Sequence, residues 1–186
     1  MAGSTVYIVL LRGINVGGKT TIGMPQLRDT CASVGCEDVV TYIQSGNVVL
    51  GSPLPAGQLH SALEAAIADA FGVRPALMLR TAAEMAAVVD RNPYRDADDK
   101  TVHVGFLQAV PGAATKKCLA AIDCGPEDLT LVGRDVYLHL PNGVGRAKLP
   151  VQMERCLRPA PVTLRNWRTV TKLVELSSAG VPSTGE

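Results

Sequence analysis

An α+β fold is predicted: two tandem β-α-β-β-α-β halves with antiparallel sheets, followed by a C-terminal helix. Three observations carry this. Short β-rich apolar runs alternate with segments whose apolar residues recur at helical spacing. Small Gly-containing turns join some of those runs into hairpins. The same order of elements then repeats after a charged stretch, Arg91 to Lys100.

In the first half, Val6 to Leu11 reads as a strand apolar on both faces. Met24, Leu27, Cys31 and Val34 recur at helical spacing, with Pro25 suited to a first turn and Gly35 to a stop. Val39 to Gln44 and Asn47 to Leu50 are strands around Ser45-Gly46. Leu59, Leu63, Ala66, Ile67, Ala70 and Phe71 mark the next helix, closed by Gly72, and Arg74 to Arg80 is the fourth strand. Thr81 and Glu84 form a capping box that opens a connecting helix through Met85, Val88 and Val89.

In the second half, Thr101 to Leu107 is a strand and Ala114 to Ile122 a helix. Leu129 to Val132 and Val136 to Leu140 are strands around Gly133-Arg134. Leu149 to Leu157 is a helix with Pro150 in its first turn, and Pro161 to Leu164 is a short strand. Trp167, Val170, Leu173 and Val174 give a last helix, with Asn166 as its N-cap. This order is that of the ferredoxin-like plait. The predicted organisation is therefore a first half with connecting helix at residues 1–90, a second half with C-terminal helix at 101–178, and a disordered tail at 179–186. A strand apolar on both faces cannot leave the helix-free face of its sheet wet, so that face is expected to be covered.

At 186 residues and 47% hydrophobic composition, the chain can bury a substantial core, built mostly from Ala, Val and Leu because aromatics are few. A net charge of +1 argues against nucleic-acid binding through the overall field. The charge is uneven, however: residues 134–172 carry eight Lys/Arg against Asp135 and Glu154. None of the five cysteines (Cys31, Cys36, Cys118, Cys124 and Cys156) forms a Cys-x-x-Cys pair. No signal peptide or membrane span is visible, so reduced thiols in a cytoplasmic protein are expected, with Cys31, Cys118 and Cys156 on apolar helix faces.

The densest chemical signal is Leu10 to Lys19, where an apolar strand runs into a loop with three glycines, Arg12, Asn15 and Lys19. Such a loop can turn backbone N–H groups toward an anion. Gly13, four residues and Gly18-Lys19-Thr20 also satisfy the phosphate-loop pattern. That pattern needs a helix beginning at the lysine and a parallel crossover. Here the helix is expected near Met24 and the next strands form a hairpin, so ATP hydrolysis is not expected.

Four polar clusters fall where strands and loops end: Arg12, Asn15, Gly17, Gly18 and Lys19; Gln44, Ser45 and Asn47; Asn142, Arg146 and Lys148; and Arg165, Asn166 and Trp167. Each also has a purely structural reading, in which Asn15 and Asn47 hold turns, Asn166 caps a helix and Trp167 fills the core. In the predicted sheet the end of the first strand lies beside the start of the third, which places the first two clusters together. Familiar catalytic sets are missing: His60, His103 and His139 are far apart in sequence, and no Gly-x-Ser-x-Gly elbow or metal-ligand spacing occurs.

Leu10-Leu11-Arg12-Gly13-Ile14-Asn15-Val16-Gly17-Gly18-Lys19 resembles the opening signature of a large, mainly bacterial family, domain of unknown function 1697. The likeness continues through Thr41-Tyr42-Ile43-Gln44-Ser45-Gly46-Asn47-Val48-Val49, Asn92-Pro93, Gly143-Val144-Gly145-Arg146-Ala147-Lys148-Leu149 and Thr163-Leu164-Arg165-Asn166-Trp167. Leu164 and Thr20 depart from the residues usual in that pattern. The resemblance implies two ferredoxin-like halves and no particular activity.

The expected function is binding of a small anionic ligand, a nucleotide or a phosphorylated compound, through the Gly-rich basic loops. Whether the protein is also an enzyme is left open, with no catalytic residue named; no cofactor, metal or membrane contact is expected. The alternatives are nucleic-acid binding through the basic 134–172 segment, with Tyr7, Tyr42 and Tyr137 as the stacking residues, and a scaffold or homodimerisation module whose motifs serve folding alone.

Overall fold

The computed structural model describes residues 3–17 and 21–179. The chain divides into two compact units, Met1–Ala86 with Lys172–Glu186, and Ala87–Thr171. Among the described residues there are two four-stranded antiparallel sheets and six helices. The expected disordered tail at 179–186 falls almost wholly on residues outside those described.

The first unit contains β1 (Thr5–Leu11), α1 (Met24–Ser33), β2 (Glu37–Tyr42), β3 (Asn47–Ser52), α2 (Ala56–Phe71) and β4 (Leu77–Thr81). Its sheet order is β2-β3-β1-β4, so β1 is central and pairs with both β3 and β4. Strand alternation puts Tyr7, Val9 and Leu11 on one face of β1. There they join Val48 and Leu50 of β3, Leu27 and Cys31 of α1, and Leu59, Leu63 and Ile67 of α2 in one core. Ile8 and Leu10 lie on the opposite face and are also fully buried, as the sequence required of a strand apolar on both sides. Helix α3 (Ala82–Asp90) follows β4. The capping box forms: Glu84 N–H donates to Thr81 Oγ1, and Thr81 N–H to Glu84 Oε2.

The second unit repeats the order with β5 (Val102–Leu107), α4 (Ala113–Ala120), β6 (Asp128–Val132), β7 (Asp135–His139), α5 (Leu149–Leu157) and β8 (Val162–Asn166). The sheet order is β6-β7-β5-β8, again antiparallel throughout. Its helix-side core joins Leu107, Val136, Leu138 and Val162 to Leu119 of α4 and to Leu149, Met153 and Leu157 of α5. The central strand carries Gly105 where Val162 and the Met153 thioether press in; a Cβ there would stand 3.1 Å from Val162 Cγ2. Helix α6 (Trp167–Ser178) closes the described chain, and Thr169 N–H donates to the Asn166 side chain as expected of an N-cap. The charged stretch before β5 is pinned to this unit, with Tyr94 Oη 2.9 Å from Thr130 Oγ1 and the Tyr94 ring beside His139.

Several boundaries differ from the sequence reading. β4 starts at Leu77 rather than Arg74, because Pro75 has no N–H to give a neighbouring strand. β8 runs on to Asn166, which brings Arg165 into the sheet opposite Val104.

The larger correction concerns the thiols. Cys118 and Cys156 are joined in a disulfide that ties α4 to α5. Cys118 lies on the exposed side of its helix, and the buried position is the adjacent Leu119. Helical spacing alone does not separate two neighbouring positions in so short a helix. Cys31 and Cys36 are buried free thiols, as expected; burial pushes them up to about 12 and about 11.

His103 lies on the helix side of β5, buried, and its Nδ1 has no hydrogen-bond partner among the described residues. Burial lowers its pKa below the ordinary 6.5. The unfolded chain therefore binds more protons than the folded one as pH falls through that value, so stability rises with pH and is lost on acidification. We expect the melting temperature to drop between about pH 7.5 and about pH 5.5, and His103→Leu to remove part of that drop. Superimposable pH profiles of the two proteins would show that His103 is not the titrating group.

Candidate functional site

The loop after β1 and the β2–β3 turn are built as one piece. Register sets Leu10 opposite Asn47, and Leu11 N–H donates to the Gly46 carbonyl at 2.8 Å. Asn15 sits in the left-handed region at φ 55°, which asparagine tolerates better than most residues. Its Oδ1 accepts from Ile22 N–H, and its Nδ2 donates to the carbonyls of Ile22 and Gln44. One side chain thus closes the loop on itself and ties it to the turn. Asn47 is fully buried and donates to the Tyr42 carbonyl and to Ser45 Oγ. Both asparagines therefore have structural work, and the described members of the first two clusters do come together. Arg12, Gly17 and Gln44 are exposed around this junction, with Ser45 partly so. Gly18 and Lys19 lie outside the described residues, whereas α1 starts only at Met24 with Pro25 in its first turn.

The third cluster faces a cavity of about 440 Å³ in the second unit. One wall is the segment Asp123 to Glu127, and the other is formed by Asn142, Arg146, Lys148 and Gln152. Gly143, at φ 78°, turns the chain after β7 and donates its N–H to the Leu140 carbonyl. Arg146 and Lys148 are exposed, and among the described residues neither side chain has a hydrogen-bond or ion-pair partner. The Glu127 carboxylate is already engaged. It accepts from Lys148 N–H at 3.3 Å and Leu149 N–H at 2.9 Å, which places negative charge at the N-terminus of α5. The basic side chains, rather than the helix end, are the groups left for a ligand.

The fourth cluster is internal. Arg165 is buried, with Nη1 donating to Thr163 Oγ1 and the Leu164 carbonyl, and burial lowers its pKa to about 10. Asn166 caps α6, and Trp167 is buried. The first unit has an equivalent that the sequence reading missed. Arg80 is only 1% exposed and donates to the Leu79 carbonyl. It lies opposite Ile8 in β4, as Arg165 lies opposite Val104 in β8. Each ends its strand in Leu-Arg followed by a capping residue and a helix: Leu79-Arg80-Thr81 and Leu164-Arg165-Asn166. That repeated Leu-Arg pair ahead of a capping residue was the available signal.

Of the three tyrosines offered for stacking, Tyr42 is half-buried and the other two are enclosed. Tyr7 and Tyr137 are buried, donating to the carbonyls of Leu54 and Val88, and Arg165 is withdrawn from the basic segment's solvent face. Among the described residues no group of three or more His, Cys, Asp and Glu could hold a metal ion, and no helix is long and apolar enough to cross a membrane.

Two units, each an antiparallel sheet with helices and a polar loop cluster, define an α+β protein of internally repeated design. The chain belongs to the family described as protein of unknown function (DUF1697), whose model matches residues 4–137. It is similar in fold to the solved structure of a conserved bacterial protein from Streptococcus pneumoniae: TM-score 0.76 at 23% identity, covering 94% of this chain and 99% of that one. A comparison with curated proteins finds no match. The family match ends before Asn142, so the basic wall of the cavity lies beyond it.

Proposed function

We propose that this protein binds a small anionic ligand, a nucleotide or phosphorylated compound, in the cavity of the second unit. The observation that carries this reading is the pairing of Arg146 and Lys148, two exposed cations without a side-chain partner among the described residues, on one wall of a cavity, with Asn142 and Gln152 beside them as neutral hydrogen-bonding groups. Arg146 offers a forked donor set suited to phosphate oxygens, and Lys148 a point charge. In the first unit the exposed Arg12 and Gly17 lie beside the junction that Asn15, Ser45 and Asn47 brace, and Gly18 and Lys19 follow them in the sequence. In the same reading each unit is a ferredoxin-like plait; the central β1 and β5 and the sheet orders β2-β3-β1-β4 and β6-β7-β5-β8 support it. The protein acts in the cytoplasm, as a binding protein to which no reaction is assigned.

The test is a low-salt thermal-shift screen with inorganic phosphate, pyrophosphate and nucleoside triphosphates. The expected result is stabilisation by at least one of them, with Arg146→Ala/Lys148→Ala weakening its binding about tenfold or more. The same variant should keep near-native stability without ligand, because exposed charges contribute only about 0–1 kcal/mol each. No shift with any phosphate compound, or equal binding by the variant, refutes the reading.

A further inference from the structure

The two cavity walls are held in place by different means. The basic wall continues into α5, which buries Leu149, Met153 and Leu157. The opposite wall, Asp123 to Glu127, follows α4, and α4 is poorly anchored. It has eight residues, a glycine N-cap without a side-chain hydrogen bond, and Leu119 as its single buried residue. Helices this short are not stable on their own and depend on packing. The corresponding first-unit helix α1 buries Met24, Leu27, Thr30 and Cys31 and has no disulfide. What α4 has instead is the bond from Cys118 to Cys156, which fixes it to α5 across a Cα–Cα distance of 5.6 Å. Cys118 is exposed, so the bond is open to solution thiols.

We propose that the Cys118–Cys156 disulfide is a redox latch on the anion cavity: oxidised, it holds the Asp123–Pro126 stretch, with its carboxylate, opposite Arg146 and Lys148; reduced, it frees that stretch, relieves the repulsion and strengthens anion binding. This rests on the anion-binding reading for its ligand and on the geometry of α4 for its mechanics. The chemistry is ordinary thiol–disulfide exchange with a dithiol reductant. A reductant thiolate attacks the exposed Cys118 sulfur, the S–S bond breaks, and Cys156 leaves as a thiolate that takes up a proton. The second reductant thiol displaces Cys118 from the mixed disulfide. Two cysteine thiols result, and the reductant ends as its own disulfide. In a reducing compartment such bonds are transient and suited to sensing. Glu127 keeps its hold on the start of α5 through Lys148 and Leu149 N–H, so the freed stretch runs from α4 to Pro126. Cys124 on that stretch is no competitor for exchange: burial and the neighbouring Asp128, Asp123 and Glu127 carboxylates disfavour its thiolate.

The experiment compares air-oxidised protein, dithiothreitol-treated protein and Cys118→Ser/Cys156→Ser. Thiol alkylation with intact mass reads the bond, amide hydrogen exchange reads residues 113–126, and pyrophosphate titration by calorimetry reads the site. The expected result is three free thiols in the oxidised form, faster exchange at 113–126 in the other two with β5 and β7 unchanged, and pyrophosphate affinity higher in those two by about fivefold or more. Five free thiols after oxidation, unchanged exchange at 113–126, or faster exchange spread through β5 and β7 each overturn the latch. So does faster local exchange with unaltered or lower pyrophosphate affinity. If pyrophosphate binds neither form while exchange at 113–126 still responds to reduction, the anion reading fails and the mechanical latch stands.

Discussion

Gly46→Ala is expected to destabilise the first unit by about 2–5 kcal/mol, from left-handed strain plus overpacking. Gly46 has φ 81°, and a Cβ there would stand 2.8 Å from Ile14 Cδ1 and 2.9 Å from Leu11 Cβ. The Ile14 methyl can swing aside, but Leu11 Cβ is fixed to the backbone of the central strand. Gly13 is the control: at φ 68° it has nothing within 4 Å of the position a Cβ would take. Gly13→Ala should therefore cost about 1 kcal/mol, the conformational part alone. Chemical denaturation of the two variants measures the difference. Equal losses would mean that the turn and the loop separate at little cost, and that the Asn15 bridge to Gln44 does not hold them together. The consequence for function is direct, because Arg12 is presented from a loop whose position this packing sets.

The elements were legible because each carried a local signal. Pro25, the Thr81–Glu84 capping box, Asn166 and Pro150 all mark helix starts where the structure has them. The pairing of the first two clusters was also legible, since strand order alone puts Asn47 beside Leu10. What the sequence did not show depends on the third dimension. Nothing local distinguishes the buried guanidinium of Arg80 from an exposed one at a strand end. Nothing local couples Cys118 to Cys156, which are 38 positions apart and meet only because α4 and α5 pack side by side. The acidic wall of the cavity was missed for the same reason: Asp123 and Glu127 read as loop carboxylates until the fold sets them opposite Arg146 and Lys148. Polar residues seen as one class in sequence also divide by burial. Asn15, Asn47 and Asn166 have side-chain amides engaged with the backbone, whereas Arg146 and Lys148 remain available.

Loss of the Cys118–Cys156 bond is expected to lower stability by about 4 kcal/mol on the chain-entropy model, given a sequence separation of 38. Most of that loss arises in the unfolded state, where the closed loop has fewer conformations to gain, so it is compatible with an unchanged native sheet. At about 2–4 °C per kcal/mol for a chain of this size, the unfolding midpoint should fall by about 10 °C. Cys118→Ser/Cys156→Ser measures the effect, and dithiothreitol should reproduce it in the parent protein while leaving the double variant unmoved. Cys124→Ser, which breaks no covalent link, should shift the midpoint by far less. A parent protein whose midpoint ignores dithiothreitol would show that the bond closes a loop already ordered in the unfolded ensemble. The helix pair α4–α5 would then have to be held by Leu119, Leu149, Met153 and Leu157 alone.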